Sequence, residues 1–232
     1  MKPTVVMLCG LLCDARVWQP VADQLQAKGY PCHIFSFAGF DSLTDMAQHV
    51  LDHVDGDFAL AGHSMGGRVA LEVARLAPQR VVKLALLNTG VHPVQDSERP
   101  GRQRLLDMAD QEGMPAVART WLPPMMSTRG QSDKALMSSL LAMVESHTPA
   151  QFQGQINALL NRPDAQVVLP TLVIPTLLMS GEQDLWSPVA QHADMQAFIA
   201  DGELVALPDL GHMCIVEDPS AVATPLQRWL EK

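Results

Sequence analysis

Ser64 lies in a short glycine-rich segment whose residue types could support nucleophilic chemistry. Residues 62–67 read GHSMGG, between an apolar run and a helical pattern at 68–77. A G-x-S-x-G sequence between a strand and a helix forms a sharp turn that forces the serine into sparsely populated backbone angles and exposes its hydroxyl. The small glycines permit that turn, and the first turn of the helix directs backbone N–H groups and a positive dipole end towards the same point.

A serine hydroxyl needs a base to take its proton, and two later segments offer partners for it. His212 follows the last predicted strand, 204–207, and Asp184 follows the preceding one, 176–180. Because parallel strands all end at one edge of a sheet, both side chains should reach the edge that presents Ser64. The order Ser, Asp, His therefore predicts a catalytic triad in which His212 is the base and Asp184 orients it.

Other side chains near these segments are weaker candidates. His63 adjoins the serine, but successive residues in such a turn point apart, so His63 is expected to pack beside it. Asp209 shares one short loop with the predicted base, and Glu182 falls inside the turn that precedes Asp184. Cys9, at the end of the first strand, is not expected to be a nucleophile.

The negative oxygen that forms during attack on a carbonyl group needs hydrogen-bond donors. The backbone N–H of Met65, the residue after the serine, is one predicted donor. The loop after the first strand, 4–9, should come beside the same turn, and it makes the N–H of Leu11 the second predicted donor. Loss of one such donor typically costs about 3–4 kcal/mol of transition-state stabilisation.

Strand and helix patterns alternate along the chain and predict a parallel sheet covered by helices. The predicted strands are 4–9, 32–37, 58–61, 81–87, 176–180 and 204–207. Between the fourth and fifth strands, 91–169 contains only helical patterns, at 99–112, 114–121, 132–147 and 149–161. We therefore expect a core of residues 1–90 and 170–232 and an inserted helical cap, residues 91–169. Pro225 should kink or restart the last helix.

The composition indicates a globular protein and argues against some classes of binding partner. Of the 232 residues, 47% are hydrophobic and 18% are charged, and the net charge of −9 argues against nucleic acid and anionic membrane surfaces as partners. No apolar run is long enough to cross a membrane, and the apolar N-terminal segment is better explained as a strand than as a signal peptide. The four cysteines lack C-x-x-C or zinc spacing, which favours the cytoplasm. Acyl transfer by the predicted triad needs no metal or other cofactor.

The chain resembles the α/β-hydrolase superfamily over nearly its whole length. The matching motifs are GHSMGG at 62–67, GEQD at 181–184 with Pro188 shortly after, and GHM at 211–213. It is most similar to the small capped esterase, lactonase and carbon–carbon hydrolase group. The resemblance implies a three-layer fold whose mostly parallel, six-stranded sheet lacks the family's two leading strands. Cys9 stands where the family usually has histidine in the oxyanion loop, so altered loop packing is expected rather than lost activity.

These observations together predict a serine hydrolase that cleaves a carboxylic ester of a small, apolar substrate through an acyl-enzyme. The same triad could instead open a lactone, hydrolyse a carbon–carbon bond or a thioester, or transfer acyl groups, because the fold does not decide among these reactions. A ligand receptor built on a hydrolase scaffold is the alternative outside enzymes. The methionine-rich cap should shape an apolar pocket. The candidate substrate-binding residues are Trp121, Met125, Met126 and Trp186.

Overall fold

A single parallel sheet runs through the molecule. The computed structural model describes residues 2–232, and within them six strands are arranged in the spatial order β2-β1-β3-β4-β5-β6. The strands are β1 (Thr4–Leu8), β2 (Cys32–Phe35), β3 (Phe58–His63), β4 (Val81–Leu87), β5 (Thr176–Gly181) and β6 (Gly202–Leu207). Every neighbouring pair is parallel, so the sheet is wholly rather than mostly parallel.

Eleven α-helices accompany the sheet in the same part of the chain. They are α1 (Gln19–Ala27), α2 (Leu43–His53), α3 (Met65–Leu76), α4 (Glu98–Glu112), α5 (Met114–Trp121), α6 (Thr128–Ser132), α7 (Lys134–Glu145), α8 (Pro149–Leu160), α9 (Val189–Gln196), α10 (Cys214–Glu217) and α11 (Pro219–Glu231). None of the helices in residues 2–232 is long and apolar enough to span a membrane.

The strand order explains why the sheet is covered on both faces. The chain moves from β1 outward to β2 and then reverses to β3, so right-handed crossovers put α1 and α2 on opposite faces. Accordingly α1 packs with α11, and α2 packs with α3. Every residue of β3 and β5 is buried, and the central residues of both strands are apolar, as expected for strands covered on both faces. The reversal leaves a crevice at the carboxyl ends of β1 and β3, where ligands bind in such sheets.

The segment expected to form a cap, 91–169, holds α4 to α8 and contains no strand. The predicted helix 132–147 corresponds to α7, which begins at Lys134 because the Asp133 side chain accepts hydrogen bonds from the N–H groups of Ala135 and Leu136. The short helix α6 precedes it and was not predicted. The predicted restart at Pro225 does not occur. Helix α11 continues through this proline, whose ring is buried in the core.

Candidate active site

The turn at Ser64 has the strained geometry that the sequence predicts. Ser64 has φ 55° and ψ −118°, between the end of β3 and the start of α3. A Cβ on Gly62 would lie 2.3 Å from the carbonyl oxygen of Gly66, and a Cβ on Gly66 would lie 2.2 Å from that of Leu8. Both obstacles are backbone atoms, so only glycine fits at these two positions and lets β1, β3 and α3 approach one another.

The structure brings Ser64, His212 and Asp184 into one hydrogen-bonded chain. His212 Nδ1 lies 2.8 Å from Asp184 Oδ2, and His212 Nε2 lies 2.9 Å from Ser64 Oγ. The carboxylate can only accept, so Nδ1 carries the proton, and the bare Nε2 accepts from the Ser64 hydroxyl. The ring is therefore in the tautomer that can remove the serine proton.

Asp184 is held as a buried anion by four donors. Its Oδ1 accepts from the backbone N–H groups of Trp186 and Ser187, and its Oδ2 accepts from His212 and from the Asn88 amide at 2.8 Å. Burial alone would raise the pKa of this carboxyl, but the hydrogen bonds, led by that from His212, outweigh it and hold the pKa well below its usual range. Glu182, the rival acid, is exposed.

Asn88 is a residue that sequence reasoning left without a role. It follows β4, which lies between β3 and β5, and its backbone has φ 48°. Its amide donates to Asp184, and its Oδ1 accepts from the Cys214 thiol at 2.9 Å. Asn88 therefore helps to fix the same carboxylate oxygen, Oδ2, that accepts from His212.

Substitution of Asn88 by alanine is expected to lower kcat about tenfold or more, with a smaller change in KM. The buried carboxylate loses one charge-assisted donor, and such a bond contributes about 1.5–3 kcal/mol. Steady-state ester kinetics measure the loss. Asn88→Gly is the matched variant, since it also removes the amide but tolerates positive φ. Full activity in both variants would show that the orientation of the Asp184 carboxylate does not depend on its hydrogen bond with Asn88.

The two predicted oxyanion donors lie beside Ser64. Met65 is the first residue of α3, so its N–H has no partner within the helix, and Leu11 lines the same cavity. A Cβ on Gly10 would be 3.2 Å from Ser64 Cβ, which shows how closely the loop after β1 approaches the serine. Within residues 2–232, the Leu11 N–H donates to no acceptor. Both groups are thus free to bind an oxyanion.

The loop that carries Leu11 is held by contacts on both sides. Its neighbour Leu12 donates its N–H to Gln155 of α8 at 2.9 Å, and the Cys9 thiol donates to the Asp14 carbonyl at 3.3 Å. Burial raises the pKa of the Cys9 thiol well above its ordinary value, so Cys9 is an inert packing group. The loop position that usually holds histidine in the family is here a small, buried side chain.

His63 holds the loop that carries His212 and does not contact the Ser64 hydroxyl. It is fully buried, and its Nε2–H donates to the backbone carbonyl of His212 at 2.8 Å. Burial, together with the neighbouring His212, lowers the pKa of His63 to about 3, so the ring is neutral at physiological pH. His63 is thus a positioning residue for the histidine loop.

Glu217 joins the helical segment 91–169 to the loop that carries His212. Its carboxylate accepts from the N–H and hydroxyl of Ser127 in that segment and from the N–H of Gly211, the residue before His212. Met213 N–H also donates to the Met125 carbonyl at 3.2 Å. The helical segment and the His212 loop are therefore fastened to each other, a connection that no sequence motif indicated.

A cavity of about 440 Å³ opens onto Ser64 and His212. Trp121, Met125 and Trp186 lie on its wall, and Trp186 is 53% exposed, which places it at the opening. Met126 is buried beside Gly211 and lies off the cavity wall. Within residues 2–232, no group of three His, Cys, Asp or Glu side chains is placed to hold a metal ion.

The sequence matches a family model described as "Alpha/beta hydrolase family" over residues 5–224. The chain belongs to this family. The hydrolase is 27% identical over 235 residues to a pimeloyl-(acyl-carrier protein) methyl ester esterase from Nitrosomonas europaea, covering 94% of this chain and 91% of the relative.

Solved structures of low sequence identity share the fold of this hydrolase. A thermophilic esterase from Thermogutta terrifontis superposes with a TM-score of 0.87 at 24% identity, covering 99% of this chain and 91% of that one. An enol-lactonase from Burkholderia xenovorans LB400 superposes with a TM-score of 0.89 at 21% identity, covering 100% and 93%. The α/β-hydrolase fold expected from the motifs is confirmed.

Proposed function

We propose that this hydrolase cleaves carboxylic esters of small substrates through a serine acyl-enzyme. The observation that carries the proposal is the continuous chain from Asp184 through His212 to the Ser64 hydroxyl, which ends in the cavity. Two free backbone N–H groups beside the serine supply the second requirement of acyl transfer. The relative from Nitrosomonas europaea is named as a methyl ester esterase, which supports the same bond type.

The reaction proceeds in two halves that use the same base. His212 Nε2 takes the proton as Ser64 Oγ attacks the ester carbonyl, and Leu11 and Met65 N–H groups bind the resulting oxyanion. Collapse of this intermediate breaks the bond to the alkoxy oxygen, which leaves as an alcohol with the proton from His212. Water, deprotonated by His212, then attacks the acyl-enzyme and releases the acid. Asp184 stabilises the imidazolium in both halves.

The cavity indicates what size of ester fits. Its volume of about 440 Å³ is at the small end for ligand sites, and apolar side chains of the cap face the serine. Trp121 and Met125 are the predicted substrate contacts that support an apolar acyl or alkyl group. Met126 would act only indirectly, through its packing beside Gly211.

Covalent labelling combined with turnover tests the proposal. A fluorophosphonate probe should label the protein once, at Ser64, and p-nitrophenyl butyrate should be hydrolysed. Ser64→Ala should lose the label, and Ser139→Ala, at an exposed serine of α7, should keep it. Labelling elsewhere, or binding of esters without any turnover across an acyl-chain series, would contradict the proposal and favour a ligand receptor.

A further inference from the structure

One part of the cavity wall is cationic although the protein as a whole is acidic. Arg68 of α3 and Arg102 of α4 line the cavity together with Glu98 and His92. A third guanidinium, that of Arg162, lies directly behind them with its side chain 1% exposed. The same cavity is also lined by the apolar side chains of Leu105, Ile156 and Leu159.

The charges in this cluster of side chains, formed by Arg68, Arg102, Arg162, Glu98 and His92, do not balance. Glu98 accepts hydrogen bonds from both Arg162 and Arg102, so one carboxylate is shared by two guanidiniums. Within residues 2–232, Arg68 donates only to the carbonyl and ring of His92 and bonds to no carboxylate. Burial and the nearby arginines lower the pKa of His92, so its ring is neutral at pH 7. The cluster therefore holds three positive charges against one negative charge.

Two further observations show that the cationic groups are not satisfied by the protein itself. Arg102 Nε is buried without a hydrogen-bond partner among residues 2–232. Burial, followed by repulsion from Arg162, lowers the pKa of Arg68 to about 9, although the group remains cationic at pH 7. A buried donor without an acceptor costs about 1–3 kcal/mol, and more when it is charged. An anion bound in the cavity would supply the counter-charge that both guanidiniums lack.

A purely structural role explains Arg162 and Glu98 but not Arg102 and Arg68. Arg162 donates to the carbonyls of Pro93 and Leu159 and, with Glu98, fastens α4 to the loop after β4. That role does not require Arg102, because Arg162 donates to both oxygens of Glu98 without it, and it leaves Arg68 lining the cavity without a counter-ion.

We propose that the cavity selects esters that carry a free carboxylate a few carbons from the reacting carbonyl, and that Arg102 and Arg68 bind this carboxylate. The inference rests on the proposed ester hydrolysis and names the substrate class for it. A planar guanidinium matches a carboxylate, and the apolar wall beside it suits the methylene chain that joins the two ends of a dicarboxylic monoester. Arg68 lies in the first turns of α3, four residues beyond Ser64, which is the N-cap of that helix, so about 6 Å of helix axis separates the nucleophile from this guanidinium's backbone.

A matched pair of esters tests the proposal. Monomethyl glutarate carries the carboxylate, and the methyl ester of glutaramic acid replaces it by a neutral amide of the same shape. Wild-type protein should favour the acid by at least about tenfold in kcat/KM, because the amide leaves the guanidiniums unpaired. In Arg102→Met the ratio should fall to within about twofold of one. Arg104→Met is the control, since Arg104 is exposed on the same helix outside the cavity, and it should keep the wild-type ratio.

Calorimetry separates failure of this proposal from failure of the proposed function. Monomethyl glutarate should bind Ser64→Ala, and adding Arg102→Met should weaken that binding at least tenfold, as should high salt. If the amide ester is hydrolysed as well as the acid, carboxylate selection is wrong while ester hydrolysis stands. If neither ester is hydrolysed but the acid binds through Arg102, ester hydrolysis is wrong while the carboxylate site stands. Equal binding of both esters by Ser64→Ala would overturn the site directly.

Discussion

Replacement of Ser64 by alanine is expected to lower kcat for p-nitrophenyl butyrate by about 10⁶-fold, the size of loss found when a triad nucleophile is removed. The attacking oxygen is then missing, and the histidine has nothing to deprotonate except water. The free energy of unfolding should change by only about 0.5 kcal/mol, because the hydroxyl contacts His212 alone. Stopped-flow and long-time-course assays measure the rates, and urea titration measures the stability.

Comparison of Ser64→Gly with Ser64→Ala separates the loss of the hydroxyl from the effect of backbone strain on stability. Glycine also removes the hydroxyl, so kcat should be lost equally. At φ 55° glycine is unstrained, and Ser64→Gly should therefore be about 1 kcal/mol more stable than Ser64→Ala. If Ser64→Ala kept more than about 1% of the turnover, another nucleophile would have to be sought.

Replacement of Gly66 by alanine is expected to destabilise the fold by about 3 kcal/mol or more. The new Cβ would lie 2.2 Å from the Leu8 carbonyl oxygen and 2.8 Å from that of Cys9. These are backbone atoms at and just after the end of β1, and they cannot rotate away as a side chain could. Helix α3 would have to move off the sheet, and the proposed oxyanion donors at Leu11 and Met65 would move apart. Urea-induced unfolding measures the stability, and kcat should fall with it.

Gly101→Ala is the matched control for stability. Gly101 lies inside α4, and a Cβ there would meet no atom within 4 Å. Alanine should therefore stabilise the helix by about 0.5–1 kcal/mol, mainly by restricting the unfolded chain. If Gly66→Ala unfolded within about 1 kcal/mol of wild type, the packing of α3 on β1 would be looser than the structure indicates.

The core of the fold was predictable because the apolar patterns that indicate its strands are local in the sequence. Strands buried on both faces are continuous apolar runs, and β4 begins and ends where its run does. The order of the strands in space is not local, and for that reason the role of Asn88 was missed. Its amide reaches Asp184 only because β4 lies between β3 and β5.

The helices of the segment 91–169 were predictable, but the surface that they form was not. Helical periodicity located α5 correctly, yet it does not say which face meets which neighbour. In the sequence Arg102 looks like an ordinary helix-surface residue and Arg162 like a residue of the loop after α8, and only the packing of α4 against α8 brings both of them to Glu98. Two loop positions, 125 and 126, were equally plausible pocket residues, and the turn between them sends only Met125 to the wall.

The carboxylate of Glu217 has a consequence for how substrates are told apart. It holds Ser127, in the segment 91–169, and Gly211, the residue before His212, at once. If a bulky ester displaces the part of the segment that holds Ser127, the same carboxylate should draw His212 with it and move its Nε2 away from Ser64. We therefore expect such esters to differ from well-fitting ones in kcat more than in affinity.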